Sequence, residues 1–109
     1  MKNLLIISLF LFSSQSFANW TGATKIVSMY HVNDDQVILN LANGANPSAC
    51  KVSSAGQILI NPNTQKALFS MFLSAYMSGK SVTIYTSGNC LTTHWADQSF
   101  NNVGHAVFQ

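Results

Sequence analysis

The sequence predicts a small α+β domain, mainly β, with five strands and a single helix between the third and the fourth. Three observations carry this. Short runs rich in β-branched and aromatic residues recur between turn clusters. Only one stretch, Gln65 to Ser78, changes to helical spacing. Only two cysteines, Cys50 and Cys90, are present to staple the chain.

The first eighteen residues read as a secretory signal, with cleavage expected after Ala18. Lys2 supplies the positive start, Leu4 to Phe12 the apolar run, and Ser16-Phe17-Ala18 the small residues at a cleavage site. The run is too short to span a bilayer as a helix, and no later stretch is long and apolar enough. Residues 19–109 are therefore expected to form one secreted or periplasmic domain. In an exported chain, two cysteines imply one disulfide, Cys50–Cys90. Closing a loop of about 40 residues stabilises a fold by roughly 4 kcal/mol in the chain-entropy model. That matters in a domain too small to bury a large core.

Thr24 to Val32 is the first expected strand, apolar on both faces, with Ile26, Ser28, Tyr30 and Val32 on one and Val27, Met29 and His31 on the other. Asn33-Asp34-Asp35 is a turn cluster that folds Gln36–Leu41 back as the second strand of a hairpin. Asn43 to Ser48 is a loop by composition, and Gln57–Ile60 a short third strand. Asn61-Pro62-Asn63-Thr64 signals a helix start, with Asn61 or Asn63 as cap. Leu68, Met71, Phe72, Ala75 and Tyr76 then form one apolar stripe, stopped by Gly79. Ser81–Thr86 is the fourth strand, Ser87-Gly88-Asn89 a turn, and Val103–Phe108 the last strand; Leu91 to Asn102 carries no clear pattern. This order matches the OB-fold, a five-stranded Greek-key barrel with one helix plugging an end, which binds oligonucleotides and oligosaccharides.

Charge narrows the ligands. Beyond the signal there are four scattered lysines and three aspartates, with no arginine and no glutamate. Such a chain lacks the basic footprint for nucleic acid or anionic lipid. Recognition must use hydroxyls, amides, backbone groups and aromatic faces, which suits polar neutral ligands. Catalysis finds few candidates. His31 beside Asp34 and Asp35, and the run His94-Trp95-Ala96-Asp97, are the only notable titrating groups, and no Gly-x-Ser-x-Gly elbow exists. Paired glutamates for glycoside hydrolysis are impossible, and adjacent Asp34 and Asp35 would point apart on a strand. No enzymatic activity and no cofactor are expected. Cys50, Cys90, His94 and His105 could ligate zinc, but their spacing is loose and export favours the disulfide. Trp20 and Trp95, each in polar surroundings, are the aromatic candidates for stacking on a sugar ring.

These residues resemble a known family. Asn19-Trp20-Thr21-Gly22, the strand ending Tyr30-His31 and the strand Gln36–Leu41 resemble the opening of subtilase cytotoxin and typhoid-toxin B subunits. Ala67-Leu68-Phe69 to Tyr76, then Ser78-Gly79-Lys80-Ser81-Val82-Thr83-Ile84-Tyr85, resemble their helix and next strand. The resemblance implies an OB-fold B subunit of an AB5-type toxin. Five copies would form a ring that attaches to host-cell glycans beneath a toxic A subunit, with the helix lining the central pore. The chain departs from the family in a shorter segment after Trp-Thr-Gly, where the family carries the serine that grips sialic acid. Thr24 is the only hydroxyl near that place, and the family's second cysteine pair is missing. The expected glycan-contacting residues are Trp20 and Trp95, for their aromatic faces, and Thr24, for its place beside the family's serine. The other expectation is an exported binding module for a protein or small ligand that belongs to no toxin.

Overall fold

The computed structural model describes residues 20–43, 46–53 and 56–109. The expected signal peptide, its cleavage site and Asn19 lie outside the described residues. The described chain runs β1 (Trp20–Thr24), β2 (Ile26–Asn33), β3 (Gln36–Leu41), β4 (Gln57–Ile60), α1 (Lys66–Ser78), β5 (Val82–Thr92) and β6 (Ser99–Phe108). The architecture is mainly β with one helix. All six strands share one sheet in the order β1-β5-β6-β4-β3-β2. Every pairing is antiparallel except β4 with β6, where Ile58 lies opposite Asn101 and Leu59 opposite Asn102. No helix among the described residues is long and apolar enough to cross a membrane.

Where five strands were expected, the described residues form one six-stranded sheet that does not close into a continuous ladder. The strand expected at Thr24–Val32 is β2, and β1 precedes it as an additional strand on the opposite edge of the sheet. β1 pairs with β5, β2 pairs with β3, and only Lys25 stands between them. Consecutive Cα atoms are about 3.8 Å apart, so the sheet must curl until its two edges meet there. The Lys25 carbonyl accepts the Ala42 N–H, and the buried Thr24 hydroxyl accepts the Asn43 N–H at 3.1 Å, which ties the seam. β1 is held by Thr21, whose Oγ1 accepts the Ile84 N–H at 3.1 Å.

A bulge changes which side chains share a face. Ile26 lies opposite Leu41 but Ser28 opposite Asn40, leaving Val27 as the extra residue. Ile26 and Met29 therefore both reach the main core, while Tyr30 and Val32 serve the other face. The inner core gathers Val37, Leu39, Ile58, Ile60, Val82, Ile84 and Val103 from the strands with Phe72 and Ala75 from α1. The helix thus buries one edge of its stripe and leaves Met71, Leu73, Tyr76 and Met77 exposed.

One cap and one turn differ from expectation. The N-cap of α1 is Gln65, not Asn61 or Asn63. Asn61 instead uses Oδ1 to accept the N–H groups of Asn63 and Thr64 in the preceding turn. Gln65 ties the helix start down, donating Nε2–H to the Val103 carbonyl at 2.9 Å. Gly79 ends the helix as expected, with φ 73° and its N–H on the Ala75 carbonyl. Ser87-Gly88-Asn89 is no turn. β5 runs through it to Thr92, with its register shifting between Thr86 and Cys90 around Gly88 at φ 90°. The Cys50–Cys90 disulfide is present, bridging a sequence separation of 40 with 5.6 Å between Cα atoms.

Candidate binding site

The outer face of the sheet carries a smaller apolar cluster, Ile38, Leu59 and Phe100, with Val32, Val52 and Trp95 packed against it. Strand alternation produces this second face. Val37 and Leu39 point into the main core, so Ile38 between them must point out. The same holds for Leu59 between Ile58 and Ile60.

A pocket of about 260 Å³ opens over part of this cluster. Ile38 and Phe100 contribute to its lining, and Tyr30 of β2 and Trp95 of the β5–β6 loop join them. The Tyr30 and Trp95 ring centroids are 5.4 Å apart, tilted by 59°. Asn40, Gln57 and Gln98 supply amides, and Ser53 a hydroxyl. Tyr30 is 47 % exposed, so its ring is open to a ligand.

Local structure fixes Trp95. The loop turns back on itself, with the Gln98 N–H on the Trp95 carbonyl and the Trp95 N–H on Thr93 Oγ1 at 3.3 Å. His94 covers one side of the indole at 3.9 Å between centroids, and Phe100 supports it from the sheet at 6.3 Å. The segment carrying Ser53 is anchored by a buried polar network. Asn101, fully buried, accepts the Ser48 N–H through Oδ1 and donates Nδ2–H to Asn46 Oδ1. Asn46 in turn brackets Cys50, accepting its N–H and donating to its carbonyl. The disulfide fixes the same segment to β5. On β3, the Asn40 amide is oriented by donating to Ser28 Oγ at 3.0 Å, which leaves its carbonyl oxygen as an acceptor.

Of the residues expected from sequence, only Trp95 reaches this pocket. Trp20 lies on β1 and stacks on Tyr85 at 5.6 Å, and Tyr85 stacks on His105 at 4.6 Å, forming a separate ladder. The Thr24 side chain is occupied at the β1–β2 seam and is 4 % exposed. His31 Nε2 lies 3.5 Å from Asp34 Oδ1 on the exposed hairpin, with both side chains in water. Among the described residues no cluster of three or more His, Cys, Asp or Glu could hold a metal, and both cysteines expected as possible zinc ligands are in the disulfide. Tyr30, Gln98 and Phe100 were not expected as site residues. Tyr30 carries a signal in the sequence as the one tyrosine of the Thr24–Val32 run.

No family model, no curated protein and no solved structure matches this chain.

Proposed function

We propose that the protein is an exported glycan-binding domain, the attachment subunit of an AB5-type toxin or its stand-alone relative, and that the Tyr30–Trp95 pocket is its sugar site. The observation that carries the reading is the pocket itself. Two aromatic rings set at an angle over an apolar floor, ringed by amides and a hydroxyl, suit a pyranose. The C–H face of the sugar packs on the rings, and neutral amides exchange hydrogen bonds with its hydroxyls.

Strand order supports an OB-like topology. β2, β3 and β4 form a meander, α1 follows, and β6 returns from the β5–β6 hairpin parallel to β4. Counted this way, the pocket lies on the face of the second and third strands and beneath the loop between the fourth and fifth, where OB-folds bind oligosaccharides. The sequence resemblance to the toxin B subunits points the same way. The exposed Met71, Leu73, Tyr76 and Met77 of α1 fit a helix covered by neighbouring copies in a ring.

Glycan-array screening of the secreted form tests the reading. Binding to defined glycans that Trp95→Ala abolishes is the expected result. A folded protein that binds no glycan, or a Trp95→Ala variant that binds as well as the parent, refutes it. Light scattering decides the assembly. A stable monomer excludes the ring and leaves a single-copy binding module.

A further inference from the structure

A second pocket, of about 350 Å³, adjoins the first on the same face. The strands supply both. β3 places Gln36 in the second pocket and Ile38 and Asn40 in the first; β4 places Leu59 in the second and Gln57 in the first, with Asn61 just past its end also in the second; β6 places Asn102 in the second and Phe100 in the first. On each strand these are same-face neighbours two positions apart, so a step from one pocket to the next is only about 7 Å. Ile38 and Leu59, one from each pocket, are cross-strand partners, as are Phe100 and Leu91. The two pockets are therefore halves of one track along the strands.

The track's chemistry is one-sided. Among the described residues no lysine or histidine lines either half, and the one charged lining group among them is the Asp35 carboxylate at the rim of the second. A sugar carboxylate laid along the track would meet no cation and would face that aspartate. Amides, which both donate and accept, line both halves and match uncharged hydroxyls.

Building on the glycan reading of the first pocket, we propose that the ligand is a neutral glycan at least two sugar units long. One unit packs against Tyr30 and Trp95, and the next lies over Leu59 and Leu91 between Gln36 and Asn102. Length gives the affinity, and Asp35 selects against sialylated ends.

Calorimetric titration of the secreted form with lactose, N-acetyllactosamine, maltotriose and chitotriose, their component monosaccharides, and 3′-sialyllactose tests this. The expected result is a neutral di- or trisaccharide that binds about tenfold tighter than its monosaccharide, a step of one sugar's worth of contacts. 3′-Sialyllactose should bind more weakly than lactose, and Asp35→Asn should narrow that gap. Asn102→Ser should weaken the oligosaccharide about fivefold, the scale of one lost hydrogen bond, and leave the monosaccharide unchanged. Leu91→Ala, on the exposed rim, provides a second variant should Asn102→Ser fold poorly. Equal affinity for monosaccharide and oligosaccharide, silence of both second-pocket variants, or preference for the sialylated sugar overturns this inference while leaving the first pocket standing, provided Trp95→Ala still abolishes binding. No binding to any of these sugars, or binding indifferent to Trp95→Ala, overturns the glycan reading and the inference with it.

Discussion

The side chain of Asn101 donates to that of Asn46 at 2.6 Å, across 55 residues of chain, from a position with no exposure to water. Through this bond a strand of the sheet holds the segment that walls the candidate pocket. A buried amide with a lost partner carries a desolvation cost of ~1–3 kcal/mol, and Asn101→Ala would strip partners from both the Ser48 N–H and Asn46. The expected outcome is a destabilisation of about 2 kcal/mol, a fall in Tm of roughly 10 °C for a domain of this size. Thermal melting followed by circular dichroism measures it, and a Tm within a degree of the parent would show that the network contributes nothing.

The disulfide acts on the same segment. Reduction, or Cys50→Ser with Cys90→Ser, should lower stability by up to about 4 kcal/mol and release the 46–53 segment from β5. Glycan affinity should fall further than global unfolding explains, because Ser53 and Val52 stand on the freed segment. Titration at a temperature where the reduced protein remains folded separates the two effects. Unchanged affinity there would remove the segment from the site.

Legibility followed the range of the forces involved. β3, β4 and the body of α1 were readable because alternation and helical spacing are local patterns set by burial on a defined face. The disulfide was readable by elimination, two cysteines allowing one pairing. The Val27 bulge was not readable. A one-residue insertion flips every later side chain to the other face, and the residues Ile26 to Val32 are apolar enough on both sides to hide it. Gly88 looked like a turn because Ser-Gly-Asn usually is one, yet here the glycine's left-handed φ bends a continuing strand. The pocket was legible only in part. Trp95 stood out as an aromatic in polar sequence, but nothing local says that Tyr30, 65 positions earlier, meets it.

The exposed helix face yields a prediction about assembly. Met77 is 80 % exposed and Leu73 41 %, one turn apart on α1, while Phe72 and Ala75 hold the helix to the core. Lysines at 73 and 77 should leave the monomer's Tm within a few degrees, since surface changes alter stability by about 0.5 kcal/mol or less. If copies associate through this face, Leu73→Lys with Met77→Lys should convert the assembly to monomers in light scattering. An assembly that survives both lysines would place its interface elsewhere.

Fluorescence distinguishes the two tryptophans. Trp95 lines the pocket, whereas Trp20 is stacked on Tyr85 in the β1–β5–β6 ladder. An indole that loses water contact on ligand binding shifts its emission to shorter wavelength, because the apolar face of the sugar replaces solvent on the ring. Saturating glycan should therefore blue-shift the emission of a Trp20→Phe variant as much as that of the parent, and leave a Trp95→Phe variant unshifted. Phe retains a ring at position 95 and keeps part of the packing on Phe100, so this variant should still fold and retain weakened binding measurable by calorimetry. The opposite pattern, a shift that follows Trp20, would move the sugar to the Trp20–Tyr85–His105 ladder and leave the Tyr30–Trp95 pocket without its ligand.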